Sequence, residues 1–177
     1  MIDFFHYLNE SEKRHTMKKD LVGFCGLYCG ACDNYLAFTK EKKDLLSNEK
    51  FQVSDIETLS CSGCHTNKLT EHCSKCLLRK CAMEKEIDSC GFCQKYPCDD
   101  LKKFQGDGLK WQGARHRVDV FKNIEQLTDT GIEKWIQNQE NKWKCDCGLT
   151  YSYYEKKCNR CGKELCSYAE ETSIRLT

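Results

Sequence analysis

Sixteen cysteines in a chain of 177 residues are the groups here that could do chemistry, and they fall into two sets. The first opens with a triplet, Cys25-x3-Cys29-x2-Cys32. After a gap of 28 residues it continues as Cys61-x2-Cys64-x8-Cys73-x2-Cys76-x4-Cys81-x8-Cys90-x2-Cys93-x4-Cys98. The second is Cys145-x-Cys147-x10-Cys158-x2-Cys161, with Cys166 left over. Two thiolates separated by two residues on a tight turn can both point at one ion. At a Zn–S distance of about 2.3 Å, two such pairs complete a tetrahedron. Cys61/Cys64, Cys73/Cys76 and Cys90/Cys93 are three pairs of this kind. The single thiols Cys81 and Cys98 bring the count to eight, the number that two structural sites require.

Helical geometry suggests how these eight divide. Residues 76–86, CLLRKCAMEKE, have helix-forming composition. In a helix Cys76 and Cys81 would lie about 140° apart around the axis and serve different ions. That favours Cys61/Cys64/Cys73/Cys76 as one site and Cys81/Cys90/Cys93/Cys98 as the next. An interleaved arrangement stays open, as does replacement of one thiolate by His65 or His72. The triplet Cys25/Cys29/Cys32 lacks a fourth ligand. Cys166, His65, His72 and His116 are the spare donors; otherwise the position is open to water or substrate, as in a catalytic zinc site.

Residues 143–165, WKCDCGLTYSYYEKKCNRCGKEL, read as a zinc ribbon built on Cys145, Cys147, Cys158 and Cys161. Gly148 and Gly162 follow the two pairs where a knuckle turn needs positive φ. The stretch 149–154 between them is aromatic and predicted to be a strand. A local excess of three positive charges with Tyr151, Tyr153 and Tyr154 could suit a nucleic-acid strand. The patch is small, however, and the preferred reading is that the tyrosines pack the hairpin while the lysines keep it soluble.

The elements that must position these thiols are helical. Asp33 to Leu46 reads as a helix, and Ser54-Asp55-Ile56-Glu57 as a capping box. Pro97 is expected to open a short helix over 99–104, which Gly106 and Gly108 then punctuate. Val118, Phe121, Ile124 and Leu127 share one helix face, and Thr130-Gly131-Ile132-Glu133 should cap another helix that turns Ile132, Trp135 and Ile136 inward. Arg115, His116 and Arg117 are expected on a solvated face.

Composition limits the function classes. A formal charge of +1 gives no global field toward nucleic acid or membrane, and mean hydropathy of -0.70 leaves a thin apolar core. The opening residues hold no continuous apolar stretch of the kind a secretory signal needs, and the longest uncharged run, 21–32, is too short to cross a bilayer. The expected location is cytoplasmic, where thiols stay reduced and cysteines ligate metal rather than form disulfides. Met17 is an alternative start, which would make the preceding residues an extension. No Gly-rich phosphate loop, Ser/His/Asp set or paired-carboxylate motif occurs, so the reading leans away from an enzyme. Two enzymatic alternatives are an iron–sulfur or redox centre on Cys25/Cys29/Cys32 and a thiol nucleophile at Cys98, whose place at a helix start would lower its pKa.

The phrases CGLYCGAC (25–32), CSGC (61–64), CSKCLLRKCA (73–82) and CGFCQKYPCDDL (90–101) resemble the "domain of unknown function 3795" family of bacteria and archaea. All eleven cysteines of 25–98 fit the family's pattern; Leu78 stands where an isoleucine is common. The resemblance implies zinc binding and supplies no reaction. The expected fold is small, metal-stabilised α+β and helix-rich, with a cysteine-cluster core and a C-terminal zinc-ribbon hairpin. Its expected parts are an extension (1–20), a metal-binding domain (21–105), a helical connector (106–142), and a ribbon with tail (143–177). Three to four zinc ions, mainly structural, complete the expectation; the sequence leaves room for a protein partner without identifying one, and disfavours nucleic acid and membrane.

Overall fold

The computed structural model describes residues 19–39 and 56–169. After a 3-10 turn over Cys29–Ala31, helix α1 spans Asp33–Thr39 and buries Leu36 and Ala37. The remainder of that expected helix, and Ser54 and Asp55 of the first capping box, lie outside the described residues; Ile56–Leu59 is a 3-10 turn. Helix α2, Glu71–Ser74, is capped by Thr70, whose Oγ1 accepts from the Cys73 N–H at 3.3 Å. Helix α3, Leu77–Glu84, starts at Cys76 and buries Leu78 and Ala82, one turn apart on one face.

Helix α4 spans Asp99–Lys110 and does not stop at the glycines as expected. Gly108 is inside the helix because the following 3-10 segment, Gln112–Asp119, doubles back on it. A Cβ at Gly108 would lie 2.9 Å from both the Ala114 carbonyl oxygen and the Arg117 Cβ. Close approach rather than chain termination explains this glycine.

Helix α5, Val120–Thr130, buries Val120, Asn123, Ile124 and Leu127, and α6, Ile132–Lys142, buries Trp135, Ile136 and Gln139. Gly131 is the joint between them and the N-cap of α6. Thr130 is not the cap: its hydroxyl donates back to the Gln126 carbonyl at 2.7 Å, completing α5 instead.

The main core draws on both ends of the chain. Leu21, Val22, Tyr28 and Ala31 pack with Leu127, Trp135, Ile136, Trp143, Tyr151, Tyr153 and Tyr168. Trp143 meets Tyr153 edge-on with ring centroids 4.7 Å apart, and its Nε1–H donates to Gln139 Oε1 at 3.1 Å. Tyr153 Oη donates to the Tyr28 carbonyl at 2.6 Å and accepts from the Tyr28 N–H at 3.0 Å. A second cluster joins Leu78, Cys90, Leu101, Val120 and Ile124, with Cys25, Cys76 and Cys98 partly buried against it.

The fold is helix-rich, and the expected β component shrinks to isolated antiparallel bridges among the described residues: Val22 with Tyr28, Lys144 with Thr150, Lys157 with Glu164. The stretch 149–154 does not extend into a strand, because its backbone groups are engaged elsewhere. Beyond the Lys144–Thr150 bridge, the Tyr153 N–H bonds the Ala31 carbonyl and the Tyr153 carbonyl accepts from Tyr168. Tyr151 and Tyr153 are buried in the core, as the packing reading requires.

Candidate metal centres

Two knuckles assemble the C-terminal quartet. In the first, the Cys145 N–H bonds the Leu149 carbonyl at 2.9 Å and the Gly148 N–H bonds the Cys145 carbonyl at 2.7 Å. In the second, Cys158 bonds Lys163 and Gly162 bonds Cys158, both at 2.8 Å. Gly148 and Gly162 take φ of 86° and 73°, the left-handed turn expected of them. The sulfurs of Cys145, Cys147, Cys158 and Cys161 all lie within 4.8 Å of one another. Across the knuckles, Cys145 and Cys161 are 3.6 Å apart and Cys147 and Cys158 3.5 Å. A tetrahedral Zn–S site requires sulfurs about 3.8 Å apart, so the quartet can hold an ion with little rearrangement.

Local dipoles favour the charged form of part of this set. N–H groups of Cys161 and Arg160 aimed at Cys158 hold its thiol down at about 6. Cys145 accepts an N–H from Cys147, but burial and its thiol neighbours outweigh that and carry it up to about 11. A cation would favour the thiolate at all four. Arg160 donates to the Cys147 carbonyl at 3.0 Å, and Lys163 pairs with Asp146 across the knuckles.

Between α3 and α4, four more of the predicted thiols come together. Cys81, Cys90, Cys93 and Cys98 line a cavity of about 20 Å³ walled by Leu78, Ala82 and Leu101. That is room for one water-sized sphere. Burial first, then the neighbouring thiols Cys98, Cys81 and Cys93, push Cys90 up to about 12. Lys85 reaches across with Nζ 3.5 Å from Cys93 Sγ, and hydrogen bonds to Cys81 and Cys93 raise its own pKa.

The other seven, Cys25, Cys29, Cys32, Cys61, Cys64, Cys73 and Cys76, gather around the N-terminal segment. No three of the eleven thiols from Cys25 to Cys98 approach as closely as the C-terminal quartet. Residues 22–28 nevertheless form a third knuckle: the Gly23 N–H bonds the Leu27 carbonyl at 2.7 Å and the Gly26 N–H bonds the Gly23 carbonyl at 2.8 Å. This is the bonding of the knuckle at 145–149, with Cys25 in the place of Cys147 and Gly23 in that of Cys145. The signal was legible, since Cys-Gly-Leu occurs at both 25–27 and 147–149. Cys29 and Cys64 are hydrogen-bonded. That bond, the Phe24 N–H and the Arg79 charge bring Cys64 down to about 7 against burial, while the same bond and burial push Cys29 well up. Burial likewise carries Cys32 to about 12 and Cys73 to about 11.

The spare donors have other packing partners. His65 packs against Phe24 with ring centroids 4.0 Å apart and planes tilted by 33°, and His72 Nε2 is 3.5 Å from Arg117. Cys166 is exposed and outside the quartet. His116 does not sit on a solvated face: its ring stacks on Tyr153 at 4.8 Å and Nδ1 lies 2.5 Å from Tyr154 Oη. Burial, then the charges of Arg117 and His72, push its pKa down to about 3. Arg117 lies over the Phe104 ring at 4.2 Å, so the basic cluster is used in packing. All sixteen cysteines are free thiols.

Residues 21–103 match the model of a family described as protein of unknown function (DUF3795). The likeness to that family is confined to this segment. The match takes in every thiol from Cys25 to Cys98 and ends before the C-terminal quartet. No curated protein and no solved structure matches the chain. No helix among the described residues is long and apolar enough to cross a membrane.

Proposed function

We propose that this protein is a zinc-binding protein whose ions are structural and which serves as a binding or scaffold module. The quartet Cys145/Cys147/Cys158/Cys161, with its sulfurs already at tetrahedral spacing, carries the reading. Zinc is favoured by the donor set, since all-thiolate tetrahedra suit it. With Cys81/Cys90/Cys93/Cys98 as a second site and the remaining seven thiols of the DUF3795 segment as further ligands, three to four ions are accommodated. A structural zinc contributes about 10–16 kcal/mol apparent to folding, comparable with the stability of a whole domain. The partner is a protein rather than nucleic acid, because Tyr151 and Tyr153 are buried and offer no stacking face. A reducing, cytoplasmic setting suits sixteen free thiols.

Elemental analysis of freshly and anaerobically purified protein tests this, with three to four zinc ions per chain expected. Stripping the metal with a strong chelator should abolish the helical circular dichroism, and zinc should restore it. Unchanged dichroism after verified metal removal would refute a structural role. Iron with visible absorption would replace zinc by the iron–sulfur reading of Cys25/Cys29/Cys32.

A further inference from the structure

A larger concavity lies on the opposite side of α4 from any thiol quartet's requirements: it is built from charged and apolar side chains. It is a groove of about 470 Å³ between α4 on one side and α2 with the start of α3 on the other, which is within the size range of small-ligand sites. Leu77, Leu78 and Phe104 supply its apolar lining. Leu77 is 71% exposed, an aliphatic side chain left uncovered at the first position of α3.

Arg117 lines the same groove and lacks a counter-charge. Its guanidinium lies over the Phe104 ring at 4.2 Å, a contact that holds it in place. Nε is buried without an acceptor among the described residues, and Nη2 reaches only an imidazole, His72 Nε2 at 3.5 Å. The ion pairs among the described residues join Lys19 to Asp88, Lys75 to Glu71, Lys102 to Asp99, Lys142 to Asp119 and Lys163 to Asp146, and none includes Arg117. With Nε enclosed, an anion can meet this charge only at the terminal nitrogens. A guanidinium edge matches the two oxygens of a carboxylate. Lys103 lines the groove without an ion pair, and so do Asp100 and Asp107. The two acids cancel the two bases, so the groove has no excess positive field to draw in phosphate or a nucleic-acid backbone. What it offers is one oriented guanidinium beside an apolar wall.

We propose that this groove binds a carboxylate that carries an apolar group, with the carboxylate on Arg117 and the apolar group against Leu77 and Phe104. The same chemistry occurs in a free small acid and in the last residue of a peptide. Binding is non-covalent, and the site goes beyond the metal reading because none of the ions takes part in it.

Calorimetry and amide chemical shifts of the full chain as purified test this, with isocaproate as the free acid and N-acetyl-alanyl-leucine as the peptide end. At least one should bind saturably and shift amides within 71–78, 100–107 and 117. Binding of isocaproate makes a free acid the source, and binding of the peptide alone makes it a chain end. The amide of the tighter probe should bind about tenfold more weakly or worse. Failure of both probes, shifts confined to other residues, or equal affinity for acid and amide overturns the proposal. So does inorganic phosphate binding in the groove as tightly as the acid. Arg117→Gln should erase the preference for acid over amide. Should that variant not fold, Leu77→Asp, altered at an exposed position, should weaken the acid at least tenfold, and unchanged affinity there refutes the site. Each of these failures leaves the metal reading untouched.

Discussion

Replacing Gly26 by alanine tests how the first knuckle is held. Gly26 has φ of 85°, and a Cβ there would lie 2.5 Å from Ile124 Cγ1 and 3.2 Å from the Val120 carbonyl oxygen of α5. The left-handed conformation alone costs an L residue about 1–2 kcal/mol. Forcing a methyl group into a packed contact adds about 1–3 kcal/mol. The sum, about 2–5 kcal/mol, corresponds to a fall in Tm of about 4–20 °C for a chain of this size. Gly148→Ala is the internal control, because Gly148 has φ of 86° and nothing within 4 Å of its would-be Cβ. It should show only the conformational part. Ile124 is fully buried, so Ile124→Ala alone should cost about 2–5 kcal/mol. The double variant should fall short of the sum by about 1–3 kcal/mol, since the new methyl enters the space Ile124 vacates. Thermal unfolding followed by circular dichroism at fixed free zinc measures all four proteins. Equal losses at Gly26 and Gly148, or strict additivity with Ile124→Ala, would refute packing of this knuckle on α5.

Three further outcomes can be checked. His116 has its folded-state pKa depressed, so the unfolded chain binds the extra proton and stability falls as pH drops from 6.5 toward about 3, by at most about 1.4 kcal/mol per pH unit. Comparing urea midpoints at pH 6.5 and 5 should show a shallower loss for His116→Gln than for the unaltered chain; the loss common to both reports metal release. Tyr153→Phe removes the hydroxyl that bonds both backbone groups of Tyr28 and should cost about 1–3 kcal/mol in the same unfolding assay. Cys158→Ser should remove one zinc per chain by elemental analysis, with Cys166→Ser removing none.

What could be read from the sequence was local. Cys158-x2-Cys161 with Gly162, and Cys145-x-Cys147 with Gly148, fix their own turns, so the quartet was visible in the spacing alone. Helix α3 and the inward residues Trp135 and Ile136 of α6 were likewise set by composition and period. What failed depended on distant partners. Gly108 read as a helix breaker because the segment pressing on it is identified only by the fold. Thr130 read as a cap because its sequence cannot reveal that its hydroxyl turns back into α5. The aromatic run at 149–154 has strand composition, but past the Lys144–Thr150 bridge its backbone is engaged at Tyr153 by Ala31 and Tyr168. His116 looked solvated because Tyr153 and Tyr154, its covering rings, lie more than thirty positions downstream.

The bond between Tyr28 and Tyr153 spans 125 residues, and it has a consequence for biosynthesis. At about 5–20 residues per second, a ribosome needs roughly 6–25 s to make the second partner after the first. Throughout that interval the segment carrying Cys25, Cys29 and Cys32 has been made without the aromatic residues that pack on Tyr28 and Ala31. Nascent chains therefore pass through a stage of open thiols, when oxidation or capture of the wrong ion is easiest, and closure waits until Tyr153 has been made.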